Sequence, residues 1–206
     1  MAKHNDQPVK QKYFFFDLET TGTMYWKNGI HQIAGAIVID NNVMETFNFK
    51  VRPNPGAKVE KEALDIAMVT WEDIQAYEPM FDVYKKVQSI LLKYCNKFNP
   101  KDKFHLIGFN NRGFDEPFFR AWFKQNGDVY FGSWFWSDSV DVMVLASFFL
   151  RSNRQHVENF KLSTVCKYSG IEVDETGLHD ALYDIKLTMQ LYEKVTGLSI
   201  NYQGLL

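Results

Sequence analysis

The chain has 206 residues, 46% hydrophobic and 16% aromatic, which is enough to bury one sizeable core and short for two domains. A formal net charge of -2 excludes a polycationic surface, so any contact with nucleic acid must be local. The only two cysteines, Cys95 and Cys166, have no partner at metal-ligand spacing, which excludes a disulfide framework and fits free thiols in a reducing compartment.

Residues 1–11 open with the polar run Met1 to Pro8, which lacks the apolar stretch of a secretory signal. They are expected to form a flexible arm ahead of a single domain over 12–206. The longest apolar stretch, Val142 to Leu150, is too short to cross about 30 Å of hydrocarbon, so a soluble, cytoplasmic protein is expected.

In chain order, Tyr13-Phe14-Phe15-Phe16 predicts a strand buried on both faces and ending at Asp17. Ile30–Ile39 and Val43–Val51, separated by Asp40-Asn41-Asn42, predict a hairpin. The prolines and glycine of Arg52-Pro53-Asn54-Pro55-Gly56 interrupt the sheet. From Lys58 to Asn96 helical spacing takes over, with Phe81, Tyr84, Val87, Ile90 or Leu91 and Tyr94 on one face of a helix starting after Pro79. A short strand over 104–109 follows, then a helix over 116–125 and a strand-to-helix passage over 140–149. A short helix over 161–168, stopped by Gly170, precedes a closing helix over 180–195. This order predicts an α/β layer architecture with a mixed sheet, and places a site at its strand ends.

Three acidic segments carry chemistry. In Asp17-Leu18-Glu19-Thr20-Thr21-Gly22, the period-two geometry of a strand puts both carboxylates on one face, where a hard divalent cation would relieve their repulsion. The bland alternative is a pair of surface acids. Asp115, in Asn110-Asn111-Arg112-Gly113-Phe114-Asp115, follows a strand and opens a helix; it can cap that helix or point across the sheet top. His179 and Asp184 would lie about 140° apart on one helix. With Asp180 as the cap, His179 instead falls on the preceding loop and Asp184 in the first turn.

These three segments, in this order, resemble the DnaQ-like (DEDDh) 3'-5' exonucleases over about residues 13–195. The resemblance implies a ribonuclease-H-like fold with a five-stranded mixed sheet flanked by helices. It also implies hydrolysis of phosphodiester bonds at the 3' ends of single-stranded DNA or RNA, releasing 5'-mononucleotides. Asp17, Glu19, Asp115 and Asp184 would hold two Mg2+ or Mn2+ ions, with Asp17 bridging both and His179 acting as general base. Candidate substrate contacts are Leu18, as a wedge against the terminal nucleotide, with Thr20, Thr21, Asn111, Arg112 and Phe114. Arg151 and Arg154 are further phosphate candidates, and the aromatic run Tyr130 to Trp136 is either a stacking platform, a dimer surface or core. The resemblance extends to pairing of two copies. Two departures stand out: Asn110 where many members have His, and Gln32 where many have Glu.

Two rival readings are weaker. A phosphatase-like Asp-x-Asp-x-Thr with Asp17 as nucleophile prefers Asp where Glu19 stands and gives His179 no role. A nuclease-derived module that only binds nucleic acid would be expected to lack acids, whereas all of them are present.

Overall fold

The computed structural model describes residues 10–178 and 180–202. Three long strands come first: β1 (Lys12–Thr20), β2 (Ile30–Ile39) and β3 (Asn42–Arg52). Asp40 and Asn41 take positive φ values of 48° and 63° in the tight turn between β2 and β3, a conformation their short polar side chains tolerate. After the Pro53–Gly56 break come α1 (Lys61–Ala67), α2 (Trp71–Ala76), β4 (Glu78–Pro79) and α3 (Met80–Tyr94). The second half holds β5 (His105–Gly108), α4 (Asp115–Gln125), β6 (Val140–Asp141), α5 (Val142–Phe149), α6 (Leu162–Tyr168) and α7 (Ala181–Thr196).

The sheet order is β4-β3-β2-β1-β5-β6. β1 lies inside it, antiparallel to β2 and parallel to β5. Burial on both faces explains the unbroken aromatic run of β1. Phe14, Phe16 and Leu18 pack with residues of α3 and α4, and Phe14 stacks on Phe119 with ring centroids 5.9 Å apart. Tyr13 and Phe15 pack on the other face, where Phe15 meets Tyr192 of α7 edge-on at 5.4 Å.

Several expectations are corrected. The sheet has six strands, not five: β6 falls in the strand-to-helix passage expected from residue 140, and β4, two residues long and too short to show a period, is the one added. β1 does not end at Asp17 but runs on through Glu19 to Thr20, with a register irregularity against β2 between Glu19 and Thr20. The helical spacing expected from Lys58 onward is realised as three helices, of which α1 and α2 each bury a single residue, Leu64 and Ile74. On α3 the inward face is Val83, Tyr84, Val87, Ile90 and Leu91. Phe81, expected on that face, is instead exposed in the first turn, lying over Tyr84 with the Lys85 ammonium 5.3 Å from its ring. Within the aromatic run, Phe131, Trp134 and Phe135 are core, whereas Tyr130 is exposed. No helix among the described residues is long and apolar enough to cross a membrane.

Candidate active site

The acids converge where β1 meets the starts of α4 and α7. Asp17 and Glu19 project from β1 on the face covered by α7, and α7 contributes Asp184 from its first turn. One carboxylate oxygen from each of the three lies within 4.8 Å of the other two. Asp180 caps α7 as expected, its Oδ1 accepting from the amides of Leu182 and Tyr183 at 3.1 Å each. That cap fixes the phase of Asp184. His179 lies outside the described residues.

Asp115 joins the cluster from the other side. It is the first residue of α4, with Phe114 in the cap position, so the reading of Asp115 as a helix cap does not hold. Its Oδ1 accepts a hydrogen bond from the Leu18 amide at 3.2 Å, which pins it against β1 between the two strand acids.

The turn that delivers Asp115 is packed closely. A Cβ on Gly108 would lie 2.8 Å from the Asn111 Cβ and 3.1 Å from the Phe16 carbonyl oxygen, so only glycine fits there. Asn110 adopts a positive φ of 59°. With its side-chain oxygen and nitrogen assigned to satisfy both, the fully buried Asn111 amide donates to the Val140 and Gly108 carbonyls at 3.2 Å each.

Burial and mutual repulsion govern the electrostatics. Burial pushes the Asp17 carboxyl well above the ordinary carboxylate range, and the charges of Asp115, Glu19, Asp184 and Asp180 push it further. Glu19 is pushed up to about 8 by burial, then by Asp184, Asp115 and Asp180, with Lys50 opposing. Asp115 is pushed up to about 7, chiefly by burial and further by Asp141, against the stabilising amides of Leu18 and of its own residue. Such a cluster disfavours its own ionised form. Three converging carboxylates, with the Asp115 carboxylate held nearby against the same strand, fit divalent cations, which would remove the repulsion that the protein alone cannot.

The remaining sequence candidates fall in different places. Leu18 is buried in the core on the α3–α4 face. The Thr20 hydroxyl donates to the Gly22 carbonyl at 2.7 Å. That of Thr21 donates to the Lys58 carbonyl at 2.7 Å and accepts from the Gly29 amide at 2.9 Å. Both hydroxyls thus shape the loop after β1. Arg112 is exposed and Phe114 half-buried beside Asp115. The Arg151 and Arg154 guanidiniums lie over Phe148 and Phe160, at 4.7 and 4.1 Å from the ring centroids. Gln32 sits opposite Glu19 in the β1–β2 register, donating to Asn48 at 2.8 Å and accepting from Lys50.

One contributor escaped the sequence reading. Asp141, buried at the end of β6, accepts from the amides of Asn110 and Met143 at 3.0 Å each, tying the Asn110 turn to the start of α5. Its signal was present: an acid ending a strand and opening an apolar helix, as a cap does.

A family model described as "Exonuclease" matches residues 14–192, a span that holds all of these acids. The chain belongs to this exonuclease family. Ribonuclease T of Escherichia coli is 27% identical over 158 residues, covering 71% of this chain and 64% of that protein. A PolC-type DNA polymerase III of Mycoplasmopsis pulmonis is 20% identical over 184 residues, 89% of this chain but 11% of that protein. Among solved structures, E. coli exonuclease I in complex with a dT13 oligonucleotide superposes with a TM-score of 0.70 and 26% identity, over 89% of this chain and 41% of that one. A zinc-bound form of that enzyme with single-stranded DNA superposes with a TM-score of 0.71 and 25% identity, over 91% and 40%. This exonuclease-family chain therefore spans less than two thirds of each of these relatives.

Proposed function

We propose that this chain, acting as one domain from residue 12 onward, is a metal-dependent hydrolase that removes nucleotides from the 3' ends of single-stranded nucleic acid. The observation that carries this reading is the convergence of the Asp17, Glu19 and Asp184 carboxylates within 4.8 Å, with Asp115 held against the same strand by the Leu18 amide. Family membership and the single-stranded DNA bound by exonuclease I support it.

Asp17, Glu19, Asp115 and Asp184 would hold two Mg2+ or Mn2+ ions. Bound there, the ions would lower the pKa of a water, neutralise charge on the phosphate and stabilise the leaving oxygen. The protein's own part is to hold four oxygen donors at fixed places and to supply a base. His179, one residue before the α7 cap, is assigned that role, because an imidazole with an unperturbed pKa near about 6.5 can accept a proton from water at neutral pH. The water oxygen bonds to phosphorus, the bond to the 3' oxygen of the preceding nucleotide breaks, and that oxygen leaves with a proton. The products are a 5'-mononucleotide and a shortened strand with a free 3' hydroxyl.

A nucleophilic Asp17 finds no support in the site. The Thr21 hydroxyl, which the phosphatase-like motif would turn to the phosphate, is committed to backbone partners.

Chromatography of the products from single-stranded DNA and RNA, with magnesium and with EDTA, tests the proposal and reads the preferred sugar. Release of 5'-mononucleotides only with the metal is the expected result, and His179→Ala should lower turnover by about 100-fold or more while sparing metal binding. Binding of both strands with no release from either would leave a non-catalytic nucleic-acid-binding module.

A further inference from the structure

Gln32, which stands where many members of the family have glutamate, holds a lysine beside the acids. The pairing register sets Glu19, Gln32 and Lys50 in one row across β1, β2 and β3. Residues paired in register share a face of the sheet, so all three rise on the face that carries the acids. Neighbouring strands lie about 4.8 Å apart, which puts the Lys50 backbone about 10 Å from that of Glu19. Gln32, between them, is buried, and its Nε2 donates to the Asn48 Oδ1 at 2.8 Å. That bond fixes the amide with its Oε1 toward Lys50, whose ammonium donates to it. The lysine therefore leans inward from β3 toward the acids, and its ammonium lies 5.9 Å from the centroid of the Tyr77 ring.

The charge of Lys50 is held but not neutralised. It forms no ion pair among the described residues, and the amide oxygen and the aromatic ring it meets are both uncharged. A glutamate at position 32 would take the ammonium into an ion pair, whereas glutamine aims it and leaves its charge over. Among the charges that act most on Glu19, those of Asp184, Asp115 and Asp180 are negative and that of Lys50 is the one cation, so its field reaches the acidic cluster. The residue is exposed, and a ligand can reach it. Lysine near a strand edge often serves only to keep other chains from pairing there, a task for a side chain in open water. A buried amide turned to receive the ammonium is more than that task needs.

We infer that Lys50, aimed by Gln32, contacts a non-bridging oxygen of one phosphate among the last three linkages of the strand being shortened. Lys50 is a substrate-binding residue and Gln32 its positioning residue. The contact grips the strand equally before and during bond cleavage, so it sets affinity and not the rate of the chemical step. An acidic protein segment seated on Lys50 would lie across the acids and close the site to a 3' end. The inference rests on the exonuclease reading for the arrival of a strand at the acids, and on the Glu19–Gln32–Lys50 row for the contact.

The test is the affinity of the full chain for a 5'-fluorescein (dT)12 in calcium, with one neutral methylphosphonate at each of the last three linkages in turn, beside KM and kcat for the unmodified strand in magnesium. Lys50→Met should raise Kd and KM about tenfold, as loss of a charge-assisted hydrogen bond does, and leave kcat within about twofold. It should also reduce the slope of log K against log salt by about 0.7, and Lys50→Arg should restore most of the affinity. One methylphosphonate should weaken wild-type binding about as much as Lys50→Met does and weaken the variant's no further, the coupling that marks a direct contact. Gln32→Glu, by pairing the lysine, should reproduce the weaker binding and abolish the sensitivity to that linkage. Unchanged Kd in Lys50→Met would overturn the inference, as would equal sensitivity of wild type and variant to every methylphosphonate. A fall in kcat together with loss of the metal-dependent rise in Tm would also overturn it, making Lys50 a support of the acids. A wild-type chain that binds with this coupling but cleaves no ordinary strand would uphold the contact while refuting the exonuclease reading, and cleavage without the coupling would do the reverse.

Discussion

Asp17 stands among like charges, a crowding that the proposed divalent cations would relieve. At neutral pH the metal-free chain therefore carries an unrelieved strain. Asp17→Asn should stabilise the metal-free protein by about 1 kcal/mol, seen as a rise of about 2–4 °C in Tm, while lowering hydrolysis by about 100-fold or more. A fall in Tm would mean that the carboxylate holds the fold together. His31 is a second buried titratable group. It is fully buried with no hydrogen-bond partner on either ring nitrogen among the described residues, and burial, with Lys50, lowers its pKa to about 4. An unfolded imidazole takes up a proton near about pH 6.5, whereas the folded one resists until about 4. The unfolded state thus binds more protons between those values, and stability falls as pH drops from about 6.5 to about 4. His31→Leu should remove up to about 3 kcal/mol of that loss, read as the difference between the two proteins' urea midpoints across this window. Parallel pH profiles would show that His31 is not the sensor.

At the scale of elements, placement of the acids depends on close backbone approaches. Gly108 lets the Asn111 turn press against the Phe16 carbonyl, one residue before Asp17. Gly108→Ala should cost about 1–3 kcal/mol by overpacking and displace Asp115, so activity should fall further than stability alone predicts. Equal activity per folded molecule in a thermal and kinetic comparison would contradict this. Much of this arrangement was legible beforehand. The run Tyr13–Phe16 declared a strand covered on both faces, and Asp180 declared the start of α7 and so the place of Asp184. Other features had no signal to read. β4 is two residues long, so its period could not show. Phe81 fits a helical stripe in sequence, yet it falls in the first turn of α3 where no core faces it. Asp115 was ambiguous because a cap and a ligand call for the same residue at the same place; the amide of a strand about a hundred residues earlier decides it.

For the molecule as a whole, a chain with net charge -2 could grip the anionic strand proposed as its substrate only through a small region. The acidic cluster requires cations before a phosphate can approach it, and cation binding should therefore be linked to stability. Magnesium or manganese at a hundredfold over its Kd should stabilise the wild-type chain by about 2.7 kcal/mol, and Asp184→Asn should abolish most of that gain. The measurement that tests the central claim most directly is the polarity of digestion of a 5'-labelled single strand in magnesium, by the wild type and by Asp17→Asn, Glu19→Gln, Asp115→Asn and Asp184→Asn. A ladder of labelled products shortening stepwise from the 3' end, with its rate lost in each variant, is the predicted result. Immediate release of labelled mononucleotide, internal cuts, or undiminished digestion by the variants would contradict it.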